Sequence, residues 1–124
     1  MPAITEPDRL GDLLKFEEDN LYSRDEVTVE VGQIVAAGAV VARHNTNGEI
    51  VALNPGAGSG QGNAYGIIIE DVDASTVSKK SWIVARHAIV AEGAVIWPSG
   101  ISAGQLDSAM SELRALGIIL RKDA

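Results

Sequence analysis

The side chains of this 124-residue chain that could do chemistry are two histidines, one run of acids, a glycine-rich loop and nine serines. His44 and His87 stand 43 positions apart. They could give a cation two imidazole ligands, but neither sits in a His-Glu-x-x-His helix, and two ligands need carboxylate help. Glu70, Asp71 and Asp73 could gather a hard divalent ion through oxygen, yet the longer ligand series of an EF-hand, with its Gly and distant Glu, is missing. A solvated strand end explains them more simply. Residues 54–63 (Asn-Pro-Gly-Ala-Gly-Ser-Gly-Gln-Gly-Asn) invite comparison with phosphate-binding loops. Counting from Gly60 and Gly62, the third position of Gly-x-Gly-x-x-Gly is Tyr65, and no lysine completes a P-loop. A strand pattern follows, so no helix N-terminus faces the loop, and a plain surface loop is expected. Ser59, between Gly58 and Gly60, lacks the strand-to-helix context of a nucleophile elbow. These residues give no catalytic constellation, no metal site and no cofactor site.

The elements around them read mainly as strands. Ala64 to Asp73 holds the clearest buried strand: Ile67, Ile68 and Ile69 are consecutive β-branched residues, suited to a strand covered on both faces. Gly66 allows close backbone approach at its start, and residues 70–73 return the chain to water. Earlier, Val27, Val29 and Val31 alternate with Thr28, Glu30 and Gly32, the period-2 pattern of a half-buried strand. Residues 39–42 and 50–53 flank Asn45-Thr46-Asn47-Gly48, whose Asn-Gly pair suits the positive φ angles of a tight hairpin. Residues 81–90 read as one largely covered strand carrying Arg86 and His87, polar groups that need partners if buried. The triplet Ala-Arg-His occurs at 42–44 and again at 85–87, too short to be a repeat.

One helix is expected, over residues 102–116. Ser102 and Gln105 have capping-box spacing, Ile101 and Leu106 have staple spacing, and Leu106, Ala109, Met110, Leu113 and Leu116 recur at helical intervals. Gly117 follows as the residue that leaves the helix, and Ile118, Ile119 and Leu120 make a last strand.

Composition bounds the rest. The length fits one domain, able to bury roughly two thirds of its unfolded surface. With 46% hydrophobic but 4% aromatic residues, the core must be built from Val, Ile, Leu and Ala, which favours sheet over a ring-lined pocket. A net charge of −7, with ten scattered Lys and Arg, argues against direct nucleic-acid binding. Without cysteine there is neither a disulfide framework nor a thiolate metal site. Met1 to Glu6 lacks the basic-then-apolar pattern of an export leader, and no apolar run is long enough to span a membrane, so neither export nor embedding is expected.

Residues 1–26 differ from the remainder. They carry eight acids against three bases and too few apolar side chains to fold alone. They read either as an acidic solvated tail or as an arm that orders on a partner, and fully extended they could span on the order of 85 Å. The division expected is therefore 1–26 as arm and 27–124 as body.

Taken in order, Ser23-Arg24-Asp25-Glu26-Val27-Thr28-Val29, Asn54-Pro55-Gly56-Ala57, Gly66-Ile67-Ile68-Ile69-Glu70-Asp71-Val72-Asp73-Ala74, Trp97-Pro98-Ser99-Gly100-Ile101 and Leu116-Gly117-Ile118 resemble the head decoration proteins of tailed bacteriophages, the family of lambda's protein D. The similarity runs from about Ser23 to Arg121, and the order and spacing of the motifs carry it. The resemblance implies a compact β-clip body with a small helical portion and an extended N-terminal arm. It implies a homotrimer at threefold positions on the outside of the expanded capsid, in virions assembled in a bacterial cytoplasm. It further implies that the arm adds a strand to the major capsid protein. By position and hydrophobicity, the arm's contacts would be Ile4, Leu10, Leu13, Leu14 and Phe16. Two rivals stand beside this reading. One is a trimeric β-clip enzyme resembling dUTPases, against which the capped helix and Arg-Lys-Asp-Ala ending count. The other is a module binding a small molecule beside Trp82, Arg86 or Trp97.

Overall fold

A computed structural model describes residues 14–17 and 23–122. The strands in chain order are β1 (Leu14–Glu17), β2 (Arg24–Val29), β3 (Gln33–Val35), β4 (Val40–Arg43), β5 (Ile50–Ala52), β6 (Gly66–Ile68), β7 (Val72–Ala74), β8 (Lys79–Val84) and β9 (Ala88–Ala91). A 3-10 turn (Glu92–Ala94), helix α1 (Ala103–Ala115) and β10 (Ile118–Arg121) complete the described elements. The fold is mainly β with one C-terminal helix, as expected.

Strands β2, β5, β4, β6 and β8 close into a barrel, β3 and β7 form a two-stranded sheet, and β1, β9 and β10 form a three-stranded one. The apolar runs explain the layering. Along β4, Val40 and Ala42 belong to one buried cluster while Val41 belongs to another; Ile67 and Ile68 divide likewise, as do Val84 and Ile83. Val29, Val41, Ile50, Ile68 and Ile83, one from each barrel strand, meet in the second cluster. Alternating side chains of a closed sheet point in and out, so this cluster is the barrel interior. The outward residues pack with Val90 of β9, Ala109 and Leu113 of α1, and Ile118 of β10. Covered on both faces, β4 and β6 take continuous apolar runs such as Ile67-Ile68-Ile69. No aromatic side chain belongs to either fully buried set.

The helix forms where its ends are signalled. The Ser102 hydroxyl accepts from the Gln105 amide (3.1 Å) and the Gln105 side chain accepts from the Ser102 amide (3.0 Å), a complete capping box. Gly117 leaves the helix at φ +85°, and its amide donates to the Arg114 carbonyl (2.9 Å). All five periodic apolar residues of the helix are buried or half-buried. Glu112, on the same side, accepts the Ala64 amide at 2.9 Å and ties the helix to the start of the central strand.

Four local expectations are corrected. The strand expected over 81–90 is two, β8 and β9, broken at His87, whose φ is +48°. Buried Ser23 organises the break: its carbonyl accepts the Ala85 amide and its hydroxyl donates to the His87 carbonyl at 2.9 Å. On the far side, the Leu116 and Gly117 carbonyls take the His87 and Ala88 amides, which passes the chain from barrel to outer sheet. His44 and His87 accordingly lie outside strands. The 45–48 loop does join β4 and β5 as an antiparallel hairpin, but Gly48 takes a positive φ (73°) and Asn47 does not. It is a four-residue loop closed by Gly48 N–H to His44 C=O (2.8 Å), not a two-residue turn. Val31 lies beyond the end of β2 and is 53% exposed. Residues 70–73 do not simply return to water, since Val72 is buried and begins β7.

Candidate functional site

The groups singled out for chemistry are dispersed and occupied by structural bonds. Glu70 accepts from the Ser81 hydroxyl (2.7 Å), Asp71 from the Ala37 amide (2.8 Å) and Asp73 from the Ser75 amide (3.0 Å). Three acids within four positions of sequence thus serve three separate places. Among the described residues, no three His, Cys, Asp or Glu side chains come together as cation ligands. His44 stands at the hairpin mouth, its Nδ1 3.1 Å from Glu30 Oε1 and its Nε2 3.3 Å from the Gln61 amide. Glu30 also accepts from Asn47 (3.1 Å). The Asn47 hydrogen bond first, then the His44 bond and charge, hold the Glu30 carboxyl below its ordinary range. His87, exposed at its turn, is far along the chain and belongs to a different sheet junction.

The glycine-rich segment is a compact surface loop closed by its own backbone, Asn54 N–H to Gln61 C=O (2.8 Å), and fastened to the hairpin by Asn45 N–H to Ser59 C=O (2.8 Å). Gly60 is required there: at φ +84°, a Cβ would press into the Arg43 carbonyl and the Asn45 side chain. The loop's role is to brace the hairpin.

An open hollow of about 540 Å³ lies beside the barrel, lined by Asp25, Glu26, Arg43, Glu49, Tyr65 and Lys80 among others. Its walls mix both signs of charge, and Arg43 rests over the Tyr65 ring, 5.6 Å from its centroid. A second hollow of about 410 Å³ separates Gly56 and Gly62 from Gln105 and Ser108 of α1. None of the three residues expected beside a ligand lines either one. Trp82 stands exposed on β8 opposite Glu26, Arg86 pairs with Asp25, and Trp97 packs half-buried against the outer core.

What the structure does assemble is a strand edge. Leu14 and Phe16 lie in β1, which runs antiparallel to β9 with Leu14 opposite Val90, Phe16 opposite Ile89 and Glu17 opposite Ala88. A bulge falls between Leu14 and Phe16, at Lys15. Leu14 is half-buried and packs against the outer core cluster. β9 is the middle strand, with β10 parallel on its other side, so among the described residues β1 is the sheet's edge. Ile4, Leu10 and Leu13 fall outside the described residues. Arg24, Asp25 and Glu26, at the expected arm's end, pair with Val84, Ile83 and Trp82 in the barrel. The β1 strand itself was not anticipated. Its signal is the alternation Leu14-Lys15-Phe16-Glu17, apolar with charged, too short to stand out within an acidic segment.

Among the described residues no helix is long and apolar enough to cross a membrane. Compared with known families, residues 3–118 match the family model described as bacteriophage lambda head decoration protein D. No curated protein matches the chain.

Proposed function

The chain belongs to the bacteriophage lambda head decoration protein D family, and from that premise we propose that it cements the phage head as a homotrimer at threefold sites on the outside of the expanded shell. The family is one of structural capsid proteins, so the chain is a head decoration protein of the virion. In the finer reading, the N-terminal arm adds a strand to the major capsid protein, with Ile4, Leu10, Leu13, Leu14 and Phe16 as its apolar contacts, and the body is a non-enzymatic plug.

The observation that carries this reading is the arm's own strand, β1, delivered to the rim of a sheet whose middle strand is rooted in the core. Strand addition draws most of its attachment from main-chain hydrogen bonds, so a segment with few apolar side chains suffices. A protein that binds the expanded shell and not dissociated subunits stabilises that shell by linkage. Three arms on one trimer raise the effective concentration for the second and third contacts, so each contact can be weak.

The test is co-sedimentation with expanded and unexpanded phage heads, beside a sizing measurement of the protein by itself. Selective capture by expanded heads and a trimer in solution are expected. Indifference to both kinds of head at micromolar concentration, or turnover of a nucleotide with magnesium, would sink the reading.

A further inference from the structure

We infer that the capsid strand joins the outer edge of β1 while β1 stays on β9, so that body, arm and shell share one continuous sheet. This rests on the strand-addition reading above and specifies its geometry. Among the described residues β1 is paired on one side, by β9, and its opposite backbone edge ends the sheet. Pairing there adds main-chain bonds without breaking any. Removing β1 to a distant capsid strand would instead strip β9 of its neighbour and Leu14 of its packing against the core. The seat is firm on the body side, because Ala88 and Val90 of β9 are 2% and 0% exposed. While it is paired with β9, β1 presents its edge in extended form, which removes part of the entropy cost of binding.

The kind of partner follows from position and charge. In sequence, residues 1–13 lead directly into β1. Residues 1–22 hold six acids (Glu6, Asp8, Asp12, Glu17, Glu18, Asp19) against two bases (Arg9, Lys15). The matching strand is extended and flanked by Lys and Arg. The bulge between Leu14 and Phe16 interrupts the edge, a common device against pairing with a second copy of the same chain.

The test uses the full chain with Glu17→Cys and Ala88→Cys, which stand opposite one another in the β1–β9 register. Directly opposed residues of an antiparallel pair lie within disulfide reach, and the natural sequence has no cysteine to interfere. Oxidation locks β1 to β9, and reduction of the same sample is the control for folding. Oxidised and reduced protein are expected to coat expanded heads with affinities within about threefold of one another. Within the locked protein, Lys15→Pro and Phe16→Pro are made separately. The one that removes an outward N–H is expected to weaken coating at least about tenfold, since proline cannot donate to a new strand. Raising salt from about 0.05 to about 0.5 M is expected to weaken coating, as it should for a basic partner. If the reduced protein does not coat heads, the strand-addition reading itself fails and this inference with it. If the reduced form coats and the oxidised form loses at least about tenfold, β1 must leave β9 and the continuous sheet is wrong. Coating by the locked protein that neither proline disturbs would equally overturn it. Indifference to salt would overturn the basic partner.

Discussion

Deleting residues 1–22 should separate the body's stability from its ability to bind. Ser23 is kept because its hydroxyl and carbonyl hold the turn between β8 and β9. The deletion removes β1, whose described contribution to the core is half-buried Leu14. Full burial of such a side chain is worth about 1.5–3 kcal/mol, so half is about 1 kcal/mol. Main-chain bonds to β9 add about 0.5–1.5 kcal/mol each. Against these stands the cost of ordering four residues at about 1–2 kcal/mol apiece. The terms nearly cancel, and the truncated body should lie within about 2 kcal/mol of the full chain. For a body of this size that is a shift in Tm of up to about 10 °C. Capture by expanded heads, in contrast, should fall by more than about 100-fold, because the strand proposed to attach is gone. Thermal unfolding, sizing and co-sedimentation on one preparation test both halves. A truncated protein that is folded and still coats heads normally would refute the arm's role. A fall in Tm beyond about 20 °C would refute the cancellation and make β1 part of the body's stability.

Three further substitutions test the body. Leu113→Ala empties a side chain that is 0% exposed in the outer core and should cost about 2–5 kcal/mol by urea unfolding; a loss under about 1 kcal/mol would contradict the packing. Gly117→Ala forces a Cβ against the His87 ring at φ +85°, so a loss of at least about 1–3 kcal/mol is expected, and a neutral outcome in the same urea titration would show that the helix exit is misread. Glu30 is held below its ordinary value of 4.5, so its ionised form stabilises the fold. That contribution is present above pH 4.5 and is lost as pH falls through the lowered folded value. The stability gap between wild type and Glu30→Gln should therefore be open at neutral pH and close in acid; a gap that does not narrow would remove the Asn47 and His44 bonds as its cause.

The features legible in the sequence are those whose cause is local. Ser102 with Gln105 and the exit at Gly117 mark the helix because caps are satisfied within a few residues. Asn47-Gly48 between two apolar runs marks the hairpin, and Ile67 to Ile69 mark a strand covered on both faces. The break at residues 85–87 was hidden because both faces of residues 81–90 are apolar, a pattern that one long strand and two short ones share. What decides between them is Ser23, more than 60 positions away. The end of β2 was misplaced for a related reason: Val31 keeps the alternation, but β2 and its partner β8 stop pairing at Val29 and Lys79. At the candidate site, Leu14 and Phe16 were legible as apolar residues in a polar segment. Their strand partner β9 was not, because strand pairing is written in two distant stretches and neither names the other.

The barrel closes through β2 and β8, with Arg24 opposite Val84 and Val29 opposite Lys79. Every contact across that seam joins residues at least 50 positions apart, so a large loop must close before any of them forms. Such topology places folding on the scale of milliseconds to seconds, slower than helical proteins of equal length. During synthesis the first barrel strand must wait for the last, and β10, which completes the outer sheet, emerges later still. A newly made chain thus spends its slowest interval with both seam strands open to other chains, and crowding during synthesis would act on that interval before it acts on the finished protein.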